Sequence, residues 1–419
     1  MFAPLHCQHF PKVFATGAIW SIARWGMGFL GAFVANDLTG SPRLVQLSGS
    51  MMWGPLLFAG LIGGAVSDRF DRRRTVLVQL AVMIPLTALM GILALGDHLR
   101  VWMIYPFMLV VGLGWIVDMT VRRTLIYDLV GPERVNGAMA LEMASSAAGL
   151  AIGALIGGTV IEELGVGQAY LVLAAALVAA LIIMWQLPTP TRPTPTPTPI
   201  PIPAAATATA TSPTATGSSA VPASFLQTVF EGLRALPANL PLVSILGVTV
   251  FVDFFHFSYF PIVPIMGERV DASPTMVGVI SATAGLGMMA GSLWVAKRQP
   301  HRGRAYSFGS MAACALLIGF ALVPNYWVMV AFAGGAGVAM GLFGATQTAL
   351  AITTTSAELR GRAMGLLSMA IGALPIGMYG LGELAQAFGA PAALVVFNIA
   401  GLSGLVLWLW RRPEVLSVR

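Results

Sequence analysis

Residues 51–90 read MMWGPLLFAGLIGGAVSDRFDRRRTVLVQLAVMIPLTALM. An apolar run stops at a short break holding Asp68, Arg69, Asp71, Arg72, Arg73 and Arg74, and a second apolar run starts at once. A water-facing helix spreads its charges along one face, whereas here they are confined to the break. Taken from 44 to 66 and from 75 to 96, each run is long enough to cross a hydrocarbon core of roughly 30 Å, which needs roughly 20 helical residues. The stretch therefore reads as two membrane-crossing helices joined by a charged loop.

The same alternation recurs along the whole 419-residue chain, in which 57% of residues are hydrophobic and only 10% charged. Soluble domains carry roughly 25% charged residues. Apolar windows between charged or turn-rich breaks predict twelve spans. Those of the first half cover 12–36, 44–66, 75–96, 100–121, 137–161 and 167–187. Those of the second cover 239–261, 274–296, 304–323, 325–352, 361–388 and 390–411. The expected organisation is an N-terminal six-helix bundle over 1–187, a linker over 188–222 and a C-terminal six-helix bundle over 223–419. Residues 1–11 lack a basic leader and no small-residue cleavage site follows, so the first span is expected to stay uncleaved.

The charges decide orientation and exclude other classes. Of the 23 Lys and Arg residues, 19 fall in the leader, the tail and the loops between even and odd spans. The opposite loops hold only Arg43, Arg100 and Arg269, and Arg24 lies inside span one. The positive-inside bias then places both termini in the cytoplasm. The net charge of +6 is scattered over short loops, so it does not form a nucleic-acid footprint. Cys7 and Cys314 show neither disulfide nor metal-ligand spacing. No G-x-x-x-x-G-K-[ST] loop, H-E-x-x-H pair or Cys/His cluster is present, so no enzyme activity, metal or cofactor is expected.

Residues 188–222, PTPTRPTPTPTPIPIPAAATATATSPTATGSSAVP, favour an extended polyproline conformation and form a semi-rigid linker. Beyond it, Phe225, Leu226, Val229, Phe230, Leu233 and Leu236 share one helical face. That pattern fits a short amphipathic helix on the membrane surface or an extension of span seven.

The break between spans two and three, GGAVSDRFDRRRTVL, resembles the loop signature of the major facilitator superfamily, approximately G-x-x-x-D-R-x-G-R-R. Gly64, Asp68, Arg69, Arg72 and Arg73 match, and Asp71 replaces the second glycine. The resemblance implies an all-α fold of twelve transmembrane helices in two six-helix bundles related by pseudo-two-fold symmetry, with this loop as a cytoplasmic gate. A simple positive-inside anchor would explain the arginines but neither Asp68 nor Gly64. The matching loop of the second half, GSLWVAKRQPHRGR, keeps the basic cluster and places Ala296 where the acid would stand. Span five carries Gly149, Gly153, Gly157 and Gly158, a small-residue stripe for close helix packing. It is similar to the family's antiporter motif, with Ala154 in place of proline. The stretches at 118–141 and 357–367 resemble the bacterial drug and siderophore exporters, the macrolide-efflux and enterobactin-exporter type. That likeness implies a multi-pass protein of the bacterial cytoplasmic membrane, working as a monomer on a small molecule.

Ionisable side chains inside a bilayer cost at least ~2.5 kcal/mol near its centre, so each is a functional candidate. Arg24 lies mid-span in helix one, where it can hold an anion or pair with an acid but cannot release a proton. Asp253 and His256, at i and i+3 in span seven, are the candidates for proton coupling or substrate contact, with a hydrogen-bonded structural pair as the other reading. Asp118, Arg122 and Glu142 sit nearer the cytoplasmic ends, as gate or salt-bridge candidates. Glu162, Glu163 and Glu383 lie near outer ends and read as solvated. Trp20, Trp25, Trp53, Trp115, Phe251, Phe254, Phe255, Phe257, Tyr259, Met288 and Met289 are candidate cavity walls for a lipophilic substrate. The expectation is proton-driven export of a lipophilic or amphipathic compound. Its rival is proton-coupled uptake, or lipid or metabolite carriage, on the same fold.

The orientation is checked by reporter fusions. Green fluorescent protein fused after Arg419 should fluoresce and alkaline phosphatase fused there should stay inactive. The reverse pattern would place the arginine-rich loops outside.

Overall fold

A computed structural model describes residues 3–58, 71–131, 133–187, 239–356 and 360–418. Gly64, Asp68, Arg69, the Thr/Pro linker and the amphipathic lead-in segment lie outside the described residues. The chain is nearly all helix. In order these are α1 (Phe10–Thr39), α2 (Pro42–Trp53, followed by the 3-10 turn Gly54–Phe58), α3 (Arg72–Leu95), α4 (Val101–Val130), α5 (Val135–Leu164) and α6 (Val166–Trp185). The second half has α7 (Leu240–Glu268), α8 (Pro274–Arg298), α9 (Arg302–Leu322), α10 (Tyr326–Thr353), α11 (Arg360–Ile371 and Ala373–Phe388) and α12 (Ala390–Arg411). Among the described residues, 11 helices are long and apolar enough to span a membrane. Helices suit that medium because each satisfies its own backbone polar groups where no water can.

Most predicted spans survive with shifted ends. α1 begins before residue 12 and runs past 36, and α4 continues beyond 121 to Val130. Two helices are not regular. α4 passes through a π-turn at Asp118–Arg122, and α7 through one at Val252–His256 followed by a 3-10 stretch at Phe257–Ile262. Each π-turn contains an acid.

Each half is a bundle, and the halves meet along α2 against α11 and α5 against α8. The α5 glycines show how. A methyl group at Gly153 would come 2.5 Å from the Ile22 carbonyl oxygen and 2.8 Å from the Gly26 nitrogen of α1. At Gly149 it would come 2.3 Å from the Ser21 hydroxyl, and at Gly157 3.0 Å from Leu30. Gly158 turns to the other neighbour, where a methyl would lie 2.3 Å from the Pro274 carbonyl oxygen of α8. α8 answers with Gly278 and Gly285, whose added methyls would meet Ala154 and Ala151 of α5 at 2.7 and 2.9 Å. One stripe of small residues thus seats α5 on α1 and on the opposite half. Lipid tails are as apolar as leucine, so close packing of this kind, rather than water exclusion, holds the helices together.

Gly153→Val should lower thermal stability, because overpacking costs about 1–3 kcal/mol and the clash is with backbone. Gly344→Ala, where an added methyl meets nothing within 4 Å, should leave the melting temperature unchanged or slightly raised, since alanine is the better helix former. Melting curves of the two purified variants, followed by tryptophan fluorescence, compare them directly.

Candidate functional site

The join between the halves is polar at one end only. Asn36 of α1 donates to Glu268 of α7, and Arg43 of α2 pairs with Glu383 of α11 at 2.9 Å. Ser41 donates to Gln386 at 2.7 Å, Gln46 to the Ser258 carbonyl at 2.9 Å and Ser50 to the Pro375 carbonyl at 3.0 Å. Glu162 of α5 accepts from the Ser273 hydroxyl at 2.6 Å and the Thr275 backbone at 2.9 Å, so it caps the N-terminus of α8, where a negative charge is favoured. Among the described residues, every hydrogen bond and ion pair between the halves lies between the arginine-poor face and mid-depth.

Glu162 and Glu383, read from the sequence as solvated end residues, are cross-half latches. Nothing in the sequence could have shown this, because each partner lies over a hundred positions away on the other bundle.

On the arginine-rich side a recess opens that is lined entirely by the first half, with Gly17, Arg24, Trp115, Asp118, Arg122 and Glu142 among its walls. The structure gathers here three sequence candidates from α4 and α5 and the mid-span arginine of α1. Arg122 is only 1% exposed and forms an ion pair with Asp118 across the π-turn. Its guanidinium lies against Gly17, where an added methyl would come 3.0 Å from Nη1. Glu142 is held by Arg123, whose Nε donates to both carboxylate oxygens at 3.1 Å. Arg24, 2% exposed, lies between the indoles of Trp25 and Trp115, with ring centroids 4.5 and 4.6 Å from its Cζ.

A second, apolar cavity lies between the halves, walled by Trp25, Met52, Trp53, Met108 and Phe260. Trp53 meets Trp115 edge-on at 4.5 Å and Trp25 at 5.9 Å, so three indoles divide the polar recess from the apolar one. Of the predicted cavity aromatics these three face open space. Trp20 is fully buried against Gly114, and Phe251, Phe254 and Phe255 pack on Phe397 and Trp408 of α12.

Asp253 and His256 lie elsewhere. Both are buried inside the second bundle, at 4% and 1% exposure, and neither lines the two cavities. The i→i+5 bonding of the π-turn widens the helix, so residues three apart no longer stack as on an α-helix. No hydrogen bond joins them, and Asp253 Oδ2 and His256 Nδ1 each lack a partner. Nearby, Tyr306 donates to the Ile245 carbonyl at 2.9 Å and shares a 2.7 Å bond with Thr249, which accepts from Gln347 at 3.2 Å. This polar network from α7, α9 and α10 had no periodic signal in the sequence.

The described part of the loop signature braces the first half internally. Asp71 caps α3 by accepting from the Arg74 backbone at 2.8 Å, which gives a structural role to the residue that departs from the family pattern. Arg72 pairs with Asp128 of α4, and Arg73 donates to the Trp185 carbonyl at the C-terminus of α6 at 2.7 Å. Among the described residues, neither arginine contacts the other half.

Two bundles of membrane-crossing helices, with a charged recess in the first and an apolar cavity between them, have the form of a multi-pass membrane transporter. The chain belongs to the Major Facilitator Superfamily, whose family model matches residues 13–252 and 243–418. It is 30% identical over 135 residues to the multidrug resistance protein MdtH of Escherichia coli (strain K12 / DH10B) and to that of Shigella boydii serotype 4 (strain Sb227). The match spans 31% of this chain and 32% of the length of those relatives. The fold is shared with a bacterial homolog of the human lysosomal transporter Spinster in its inward-facing, unoccupied conformation (TM-score 0.67, 15% identity, 97% of this chain and 95% of that one). It is shared too with the peptide transporter POT in complex with sulfate (TM-score 0.71, 13% identity, 98% and 95%) and a D-xylose-proton symporter (TM-score 0.68, 11% identity, 97% and 98%).

Glu162→Ala should loosen the closed end. A cysteine placed at Ser273 should then react faster with a membrane-impermeant maleimide than the same cysteine beside an intact Glu162. Equal rates would show that the latch carries no weight.

Proposed function

We propose that this transporter exports a small amphipathic compound from the cytoplasm by proton antiport, working as a monomer through alternating access. The observation that carries the reading is the asymmetry of the cavity: polar latches on the arginine-poor face, and a charged recess on the arginine-rich face. With that face cytoplasmic by the positive-inside bias, the conformation is inward-facing and ready to load from inside. Rocking of the two bundles about the midplane then exchanges access. The engagement of Arg72 and Arg73 within their own half fits a cytoplasmic gate in its released state.

Export is supported by the MdtH match, since that relative carries a multidrug resistance name, and by the glycine-lined α5 that resembles the antiporter motif. Asp253 is the residue we assign to proton coupling, with His256 beside it. A carboxyl with an unpartnered oxygen in a π-turn is poorly compensated when ionised. Taking up a proton removes that penalty, so protonation and conformation are linked through the packing of α7 on α9 and α10. Asp118 and Glu142 stay with their arginines as gate residues.

The reading is tested in an efflux-deficient bacterial host and in everted vesicles. Expression should raise resistance to amphipathic compounds by severalfold, and a protonophore should abolish the gain. Asp253→Asn should remove gradient-driven flux by at least about tenfold while the protein still folds. Accumulation in intact cells instead of depletion would establish uptake. Unchanged gradient-driven flux in Asp253→Asn would move coupling to another acid.

A further inference from the structure

The polar recess has one positive charge more than it has acids to match. Its described ionisable walls are Arg24, Arg122 and Arg123 against Asp118 and Glu142. Asp118 forms an ion pair with Arg122, whose buried guanidinium nitrogens make no hydrogen bond among the described residues, and Glu142 accepts twice from Arg123. Arg24 has no ion-pair contact among the described residues, and its Nη1 is buried without a hydrogen-bond partner there. A buried cation with no contacting acid is a costly arrangement in a protein interior.

The surroundings of Arg24 reduce that cost only in part. Trp25 and Trp115 offer their negative ring faces to the guanidinium. Ring faces attract the charge but accept no conventional in-plane hydrogen bond, and the N–H donors of Nη1 remain unused among the described residues. A guanidinium oriented by two indoles, with free donors in its plane, matches the paired oxygens of a carboxylate or phosphate. On the other side of the same indoles lies the apolar cavity walled by Met52, Trp53, Met108 and Phe260. Trp115 of the charged recess and Trp53 and Trp25 of the apolar cavity thus meet at the boundary between the two.

We infer that Arg24 is the anion-binding residue of the substrate site, and that the transported compound is an amphipathic anion. Its carboxylate or phosphate sits on Arg24, and its apolar or aromatic body lies against Trp25, Trp53 and Phe260. This deepens the transporter reading and rests on it. It also specifies a charge: the site selects against lipophilic cations, because a second positive charge beside Arg24 would be repelled in a setting that screens poorly. Arg24 holds the anion and plays no part in moving the proton, since it stays protonated throughout.

Isothermal titration of the purified full-length protein in detergent tests this with three probes of one shape: 2-naphthoate, neutral 2-naphthamide and cationic 2-naphthylmethylammonium. Naphthoate should bind at least tenfold more tightly than the amide, and the ammonium most weakly. Arg24→Gln should erase the preference, and Arg24→Lys should keep a reduced one, as a point charge without the fork. Should Arg24→Gln fail to elute as a folded species, the Lys variant and the wild-type ranking carry the test. Equal affinity for anion and amide, a preference that survives Arg24→Gln, or no saturable naphthoate binding to the folded protein would overturn the assignment.

Dodecanoate and lauroyl lysophosphatidate, added as competitors, separate a free acid from a lipid as the source of the anion. The stronger competitor names the source. The titration needs neither gradient nor turnover, so its failure leaves the transporter reading standing. Conversely, loss of gradient-driven flux with the anion preference intact would count against that reading alone.

Discussion

Backbone approaches backbone along α5, and the rest of the architecture depends on how closely. With no hydrophobic drive between helices in lipid, the bundle is held by contacts that only small residues permit. Gly149, Gly153 and Gly157 admit α1, and Gly158 with the α8 glycines admits the second half. The same helix therefore fixes the first bundle and carries one of the two helix pairs along which the halves meet. A side chain added to that stripe would push apart both neighbours at once.

The polar chemistry is arranged around this packing. Latches made by Glu162, Glu268 and Glu383 lie on the arginine-poor face, where few other charges compete. On the opposite face the ion pairs Arg72–Asp128, Asp118–Arg122 and Arg123–Glu142 stay within the first half. Among the described residues the two faces are thus held differently: one by bonds across the halves, the other by bonds inside each half. Such a division suits a molecule in which one end is closed while the other admits a ligand.

Two π-turns place the candidate acids Asp118 and Asp253. Inserting a residue into the helix turns the following side chains and leaves backbone groups less regularly bonded. In α4 the turn brings Asp118 to Arg122 beside the recess; in α7 it sends Asp253 and His256 into the second bundle. The halves differ accordingly. The first presents charge to the recess, and the second buries Asp253 within its own bundle.

The class of protein was legible in the sequence because the bilayer imposes a one-dimensional rule. Every span needs a long run of apolar residues, and the loops must carry the charges. The glycine stripe of α5 and the mid-span placement of Arg24 were legible for the same reason. What the sequence could not supply were partners from distant segments. That Glu162 caps α8, that Arg24 is flanked by Trp25 and Trp115 while Asp118 is taken by Arg122, and that Asp253 faces its own bundle are outcomes of how helices cross. They depend on rotation about each helix axis, and a π-turn resets that rotation without leaving a mark in hydropathy. Composition and spacing determined that the chain crosses a membrane; only tertiary packing decided that Arg24 lies between two indoles with no contacting acid among the described residues.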